Sequence, residues 1–148
     1  MPVYIKDTVF DPYYEVKQQQ KIIESNAGFA QYGATSVFVG TMRDFNEDHK
    51  VTSMTLEYYP GMTESALEKI SEEAKSKWQI LDTLIVHRVG EIALNDSIVV
   101  VAVWSAHRGA AYEANRYIME ALKSKAPFWK KEATSNGATW VENNTKYE

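Results

Sequence analysis

The apolar positions of the chain change period several times, and each change marks an element. Asp11 suits a helix N-cap and Pro12 the first helical position, so YYEVKQQQKIIES predicts a first helix that stops near Asn26 and Gly28. Gly33 to Val39 (GATSVFV) is small and β-branched and predicts a strand ending at Gly40, and Val51 to Tyr58 (VTSMTLEY) alternates enough to predict a second. Between them TMRDFNEDHK reads as a polar loop. After the break at Pro60-Gly61, Leu67, Ile70, Ala74 and Trp78 recur at helical spacing. They predict a helix capped by Thr63 and running to about Trp78.

Further on, Leu81 to Val89 reads as a strand, Gly90 to Asp96 as a turn, and Ser97 to Ser105 (SIVVVAVWS) as a strand apolar on both faces, hence central in its sheet. A third helix is predicted from about Gly109 to Lys125, with Ala111, Ala114, Ile118, Ala121 and Leu122 inward and Pro127 preventing its continuation. FWKKEA and ATWVE then flank Ser135-Asn136-Gly137, where Asn-Gly signals a tight hairpin. The pattern describes one α+β domain over residues 1–148, with a flexible tail over about 143–148.

Composition narrows the chemistry. Hydrophobic and charged fractions of 45% and 24% are those of an ordinary folded domain, and 148 residues suffice for one real core. A formal charge of −4 argues against nucleic-acid or anionic-membrane binding through net electrostatics, so any anion site must be local. The N-terminus MPVYIKDTVFDPYY is not a secretory signal and no stretch approaches a membrane span, which makes the cytoplasm the expected location. With no cysteine there is no disulfide, thiolate nucleophile or persulfide on this chain. His49, His87 and His107 lie far apart and outside any paired motif, so no metal site is expected.

Against that background, Ser105-Ala106-His107-Arg108 falls between the central strand and a helix start. Unpaired N–H groups and a forked guanidinium can grip a phosphate there, unless both side chains are simply solvated. Arg43 follows Gly40 in another strand-exit loop, open to the same two readings. Lys123 and Lys125 sit in the last turn of a helix, which their charge complements without any ligand. Lys130 and Lys131 are consecutive in an extended segment and so point to opposite faces. A lysine in a partly desolvated pocket beside other cations loses proton affinity and becomes usable in catalysis. Phe38, Trp104, Phe128, Trp129 and Trp140 offer either core packing or a flat surface for a heterocycle.

Several segments are distinctive: GTMRDFN, LEYYPGM, IVHRVGE, SAHRGAAYEANRYIMEALKSKAPFWKKE and a terminal WVE. In this order, from about Gly33 to Glu142, they closely resemble the large subunits of molybdopterin synthase, the MoaE family. The resemblance implies an α/β hammerhead with an added antiparallel β-subdomain. It also implies a homodimer at the centre of a heterotetramer, with a small ubiquitin-like subunit at each end. In that family the small subunit's C-terminal Gly-Gly tail carries a thiocarboxylate, and two such tails in succession give sulfur to cyclic pyranopterin monophosphate, forming the dithiolene of molybdopterin. No bound cofactor is implied, and the missing cysteines fit a sulfurtransferase whose sulfur comes from its partner.

Carried over residue by residue, Lys123 and Lys130 match the family's active-site lysines. Arg43, His107 and Arg108 match its pterin-phosphate positions, with Thr41 and Met42 beside Arg43, Lys131 and Glu132 beside Lys130, and Phe38 lining the pocket. The chain departs from the family at Phe45 and Glu47-Asp48, and at Asn143-Asn144, where the nearest cation is Lys146. Three other functions use parts of the same pattern: a non-catalytic module for a phosphorylated metabolite, a structural partner of a ubiquitin-like protein, and a hydrolase. The last lacks a nucleophile or metal cluster.

Overall fold

The computed structural model describes residues 1–46, 49–134 and 137–141, with the backbone alone at 45, 46, 49–51, 132–134 and 137–141. In chain order the first half comprises β1 (Val3–Lys6), α1 (Pro12–Ala27), β2 (Ala34–Thr41), β3 (Phe45–Asn46), β4 (His49–Tyr58) and α2 (Met62–Lys77). The second comprises β5 (Asp82–Arg88), β6 (Gly90–Ala93), β7 (Ser97–Ser105), α3 (Arg108–Lys125), β8 (Phe128–Thr134) and β9 (Gly137–Val141).

β7 organises the larger sheet, whose order is β1-β5-β7-β2, with β7 antiparallel to both neighbours and β1 parallel to β5. Its side chains alternate. Val99, Val101 and Val103 pack with Ile85 against Leu67, Ile70 and Ala74 of α2 and Ala114, Ile118 and Leu122 of α3. Val100, Ala102 and Trp104 pack on the opposite face with Leu84 and Val86, under Phe10 and Ile23 of α1. A strand covered on both sides must be apolar along its covered length, as Ile98 to Trp104 is; each buried Val contributes roughly 1.5–3 kcal/mol. Trp104 is therefore a fully buried core residue and presents no surface to a ligand.

The helices are fixed by specific polar contacts. Asp11 Oδ1 accepts the amides of Tyr13 and Tyr14 at 3.0 and 3.3 Å, as its N-cap role requires. Buried Asn115 pins α3 to the sheet, its Nδ2 donating at 3.0 Å to the carbonyls of Ser36 and of Val101 on two adjacent strands. In α2 the cap is Gly61 rather than Thr63, because Gly61 takes a φ of +86° and starts the helix two residues earlier. Thr63 instead lies fully buried in the first turn. Its Oγ1 accepts from the Tyr59 amide and donates to the Pro127 carbonyl, both at 3.0 Å.

The second sheet runs β3-β4-β8-β9, with β6 on the other side of β4. Two segments differ from their sequence reading. Gly90–Ala93 is a strand, not a turn: it pairs with Leu56–Ser53 of β4 and buries Ile92 completely against Met54 and Leu56. The reversal itself shrinks to the residues around Asn95, which adopts φ +71°. The polar segment after β2 contains β3, whose two residues pair with His49 and Lys50. The parallel edge strand β1 has no counterpart in the sequence reading. Ser135, Asn136 and residues 142–148 lie outside the described residues, although Thr134 does pair with Gly137 as a tight hairpin demands.

Thr63 ties the β4–α2 turn to the link between α3 and β8. Replacing it by Val removes the partner of the Pro127 carbonyl and of the Tyr59 amide, and is expected to lower unfolding free energy by about 1–3 kcal/mol in urea titration, with Thr63→Ser close to the parent.

Candidate active site

The sequence places Lys123 and Lys130 on different elements, and the chain reversal at Ala126-Pro127 brings them together. Capping at the C-terminus of α3 comes from the Ala126 amide on the Leu122 carbonyl at 3.3 Å, and the Phe128 amide then donates to the Ala126 carbonyl at 2.9 Å. β8 leaves in register with β4, Phe128 opposite Tyr58 and Lys130 opposite Leu56. Strand alternation does the rest. Phe128 and Lys130 face a cavity of about 170 Å³, while Trp129 and Lys131 are exposed on the other face.

Both sheets and the end of α3 enclose this cavity, with Ile98 and Val99 of β7 in its wall. The end of β2 and its exit loop supply Phe38, Gly40, Thr41, Met42 and Arg43; the last turns of α3 supply Met119, Leu122, Lys123 and Ala126; the second sheet supplies Met54, Leu56, Phe128 and Lys130. A β-bulge between Gly40 and Thr41 turns the chain over the opening. Glycine is required at 40, where a Cβ would stand 2.9 Å from Val99 Cγ1. Mutual hydrogen bonds, Met42 N to the Asp96 carbonyl at 2.9 Å and Asn95 N to the Met42 carbonyl at 2.8 Å, hold the loop in place.

The walls are mostly apolar and the charged groups are cations. Arg43 is exposed at the mouth, and Lys123 and Lys130 are half-buried inside. Burial pushes the Lys123 amine below its ordinary pKa; a hydrogen bond with Lys130 and the charge of Glu120 act in the opposite direction. Among the described lining residues there is no carboxylate. A cavity of this character takes an anion and holds it away from bulk water, where each charge interaction is strengthened. Among the described residues no group of acidic side chains and histidines is arranged to hold a metal ion.

His87 of β5 also lines the cavity, which the sequence reading did not anticipate. Its ring is 5% exposed, stacks on Phe128 with centroids 4.0 Å apart, and has Nδ1 2.8 Å from the Arg88 carbonyl. Burial lowers its pKa to about 4, opposed by the bond to the Arg88 carbonyl and reinforced by the charges of Lys123 and Lys130. Met119, absent from the sequence reading, lines the cavity too, as does Phe128, read there as core packing or a flat surface for a heterocycle. The segment IVHRVGE, distinctive but without a role in the sequence reading, was the available signal.

Other candidates lie at the rim or away from the cavity. Phe38 is 43% exposed at the cavity rim. His107 is the N-cap of α3 and Arg108 its first residue, both exposed, with no side-chain cap bond from His107. At 1.5 Å per residue they stand about 22 Å along the helix from Lys123. One chain therefore does not join them to the lysines. Gly33 sits against this turn, its amide on the Ser105 carbonyl at 2.9 Å, and a Cβ there would meet the Ala106 carbonyl at 2.4 Å. The Glu132 side chain, Glu47-Asp48, Asn143, Asn144 and Lys146 lie outside what the structure describes.

The family model described as MoaE protein matches residues 12–125, more than half of the chain. The chain belongs to the MoaE family. Within it, a protein from Ralstonia nicotianae named molybdopterin synthase catalytic subunit is 51% identical over 122 residues, covering 82% of this chain and 69% of that protein. The molybdopterin synthase crystal structure from Staphylococcus aureus superposes with a TM-score of 0.82 at 32% identity, covering 95% of this chain and 96% of that one. A complex of subunits 1 and 2 of the molybdopterin-converting factor from Helicobacter pylori shares the fold, with a TM-score of 0.77 at 22% identity and 97% and 92% coverage. The mixed two-sheet architecture of this MoaE-family chain is thus the hammerhead with an added antiparallel subdomain that the resemblance implied. Among the described residues no helix is long and apolar enough to cross a membrane.

A histidine with a depressed pKa gives a signed prediction. Between pH 6.5 and about 4 the unfolded chain binds a proton that the folded ring refuses, so stability falls as pH drops through that window, by roughly 3 kcal/mol when complete. Urea unfolding at pH 7 and pH 5 should show a smaller loss in His87→Gln than in the parent. An equal loss would remove His87 as its source.

Proposed function

We propose that this chain is the catalytic subunit of a molybdopterin synthase. It moves two sulfur atoms in succession from the C-terminal Gly-Gly thiocarboxylate of a small ubiquitin-like subunit to cyclic pyranopterin monophosphate, producing the dithiolene. The observation that carries this reading is the convergence of Arg43, Lys123 and Lys130 on one mostly apolar cavity without a described carboxylate. Both substrates are anions at the reacting end, and the chain has no cysteine from which sulfur could come.

In this reading Lys130 supplies fixed positive charge to the thiocarboxylate as its sulfur bonds to the pterin carbon, and then to the oxyanion that forms when water attacks the resulting thioester and releases the tail as a carboxylate. Lys123, whose amine burial makes less basic, carries protons between the tail and the pterin. Arg43 at the mouth holds the phosphate by paired N–H donors. The apolar walls limit the access of water before the sulfur has bonded to the pterin, when hydrolysis of the thiocarboxylate would be unproductive.

His107 and Arg108 fit this reaction through a second copy of the chain. They stand at the opposite end of α3 from Lys123 and do not line their own cavity, whereas a homodimer at the centre of a heterotetramer can present the N-terminus of one α3 to the cavity of the other. The unpaired amides at that helix start then add to the phosphate grip.

Reconstitution with thiocarboxylated small subunit and precursor tests the proposal through the fluorescence of the oxidised pterin product. Lys123→Ala and Lys130→Ala should each lower the rate by at least about 100-fold, and Lys131→Ala, on the opposite face, should leave it within about twofold. Full activity in Lys130→Ala would refute the lysine assignment. For the second copy, dimers mixed from Lys123→Ala and Arg108→Ala chains contain one intact composite site and should regain about half of the parent rate. Mixed dimers no more active than the parental variants would place His107 and Arg108 outside the reaction.

A further inference from the structure

His87 is buried at the cavity wall without a part in the chemistry above. A backbone carbonyl only accepts hydrogen bonds, so Nδ1, at 2.8 Å from the Arg88 carbonyl, carries the ring proton. Nε2, on the opposite ring edge, is then an unprotonated acceptor. The stack on Phe128 fixes the plane of the ring, and Phe128 lies on the same strand and face as Lys130. The ring is thus clamped on one edge and one face.

The groups around it set what that acceptor meets. Lys123 faces the cavity from α3, Lys130 from β8 and Arg43 from the loop after β2. On its own strand Arg88 turns away, bound to Asp96 at 3.3 Å and to the Glu91 carbonyl at 2.8 Å. Glu120 acts on Lys123 from the same helix. Among the described lining side chains, the oxygen and nitrogen acceptors are the Thr41 hydroxyl, exposed near the mouth, and His87 Nε2 in the interior. The charges of Lys123 and Lys130 both act on the His87 ring, so its acceptor edge lies in the field of the two amines.

We infer that His87 is a positioning residue of the active site: clamped by the Arg88 carbonyl and the Phe128 ring, it offers Nε2 as the hydrogen-bond acceptor that orients the ammonium of the Lys123–Lys130 pair. Protonation would turn this acceptor into a fourth cation, and the two lysine charges together with burial oppose that. The ring stays neutral where the lysines carry charge. This inference rests on Lys123 and Lys130 as the reacting pair, but its tests do not all require sulfur transfer.

Nitrogen-15 spectra of histidine in the full chain, between pH 5.5 and 8, should show His87 as the Nδ1–H tautomer throughout. Its Nε2 resonance should move in Lys123→Ala, in Lys130→Ala or in both. An Nε2–H tautomer, or an Nε2 resonance unmoved in both variants, would overturn the inference whether or not the protein transfers sulfur. In reconstitution, His87→Phe keeps the stack and the volume but removes the acceptor. It should lower kcat/KM about tenfold and displace the alkaline limb of the pH profile by about one unit to lower pH, as the loss of one bond to an ammonium implies. His87→Gln, which returns an oxygen acceptor, should recover most of the rate and the original limb. A His87→Phe enzyme with the parent rate and profile would equally overturn it.

Discussion

The site depends on one chain reversal. Lys123 ends α3 and Lys130 enters β8, and only the turn at Ala126-Pro127 makes them neighbours. That turn is held from outside by the buried Thr63 hydroxyl on the Pro127 carbonyl and from the two sides by the packing of α3 on the sheet and the register of β8 with β4. Each anchor is a core interaction, so the lysine pair inherits the rigidity of the core. Two amines brought this close repel when charged, and a rigid frame is what keeps them from moving apart.

Charge follows from the same arrangement. Arg43 at the mouth and two lysines inside give a cationic cavity in a chain whose formal charge is −4. The field is local, produced by placement rather than composition, and the mostly apolar walls prevent solvent from screening it. Burial makes Lys123 less basic and leaves His87 uncharged, so the cavity divides its polar groups into cations and a neutral acceptor. Binding of the anionic substrate proposed above would restore balance, and would couple occupancy of the cavity to the protonation of its lysines.

Much of the fold was legible because its elements obey strong local rules. Asp11-Pro12 caps α1, the two-faced apolar run of β7 requires cover on both sides, and Pro127 ends α3. The sequence reading failed where the signal was short or nonlocal. β6 buries Ile92 through pairing with a distant β4, β1 joins β5 in parallel across α1 and α2, and Thr63 bonds to a carbonyl far along the chain. At the site, strand alternation already separated Lys130 from Lys131, and motif resemblance singled out Lys123. Neither could show that His87 faces the same cavity, since that depends on how β5 packs, whereas the predicted helix from about Gly109 to Lys125 already set His107 and Arg108 at the opposite end from Lys123.

The central claim is that one buried, cationic cavity perturbs Lys123 and receives the phosphorylated substrate. Amine labelling of the intact protein as a function of pH, resolved by peptide mass spectrometry with and without cyclic pyranopterin monophosphate, tests it directly. Lys123 should label with a midpoint below the ordinary lysine value of 10.5 and should be protected by the substrate. A midpoint at 10.5 with labelling unchanged by the substrate would contradict the account.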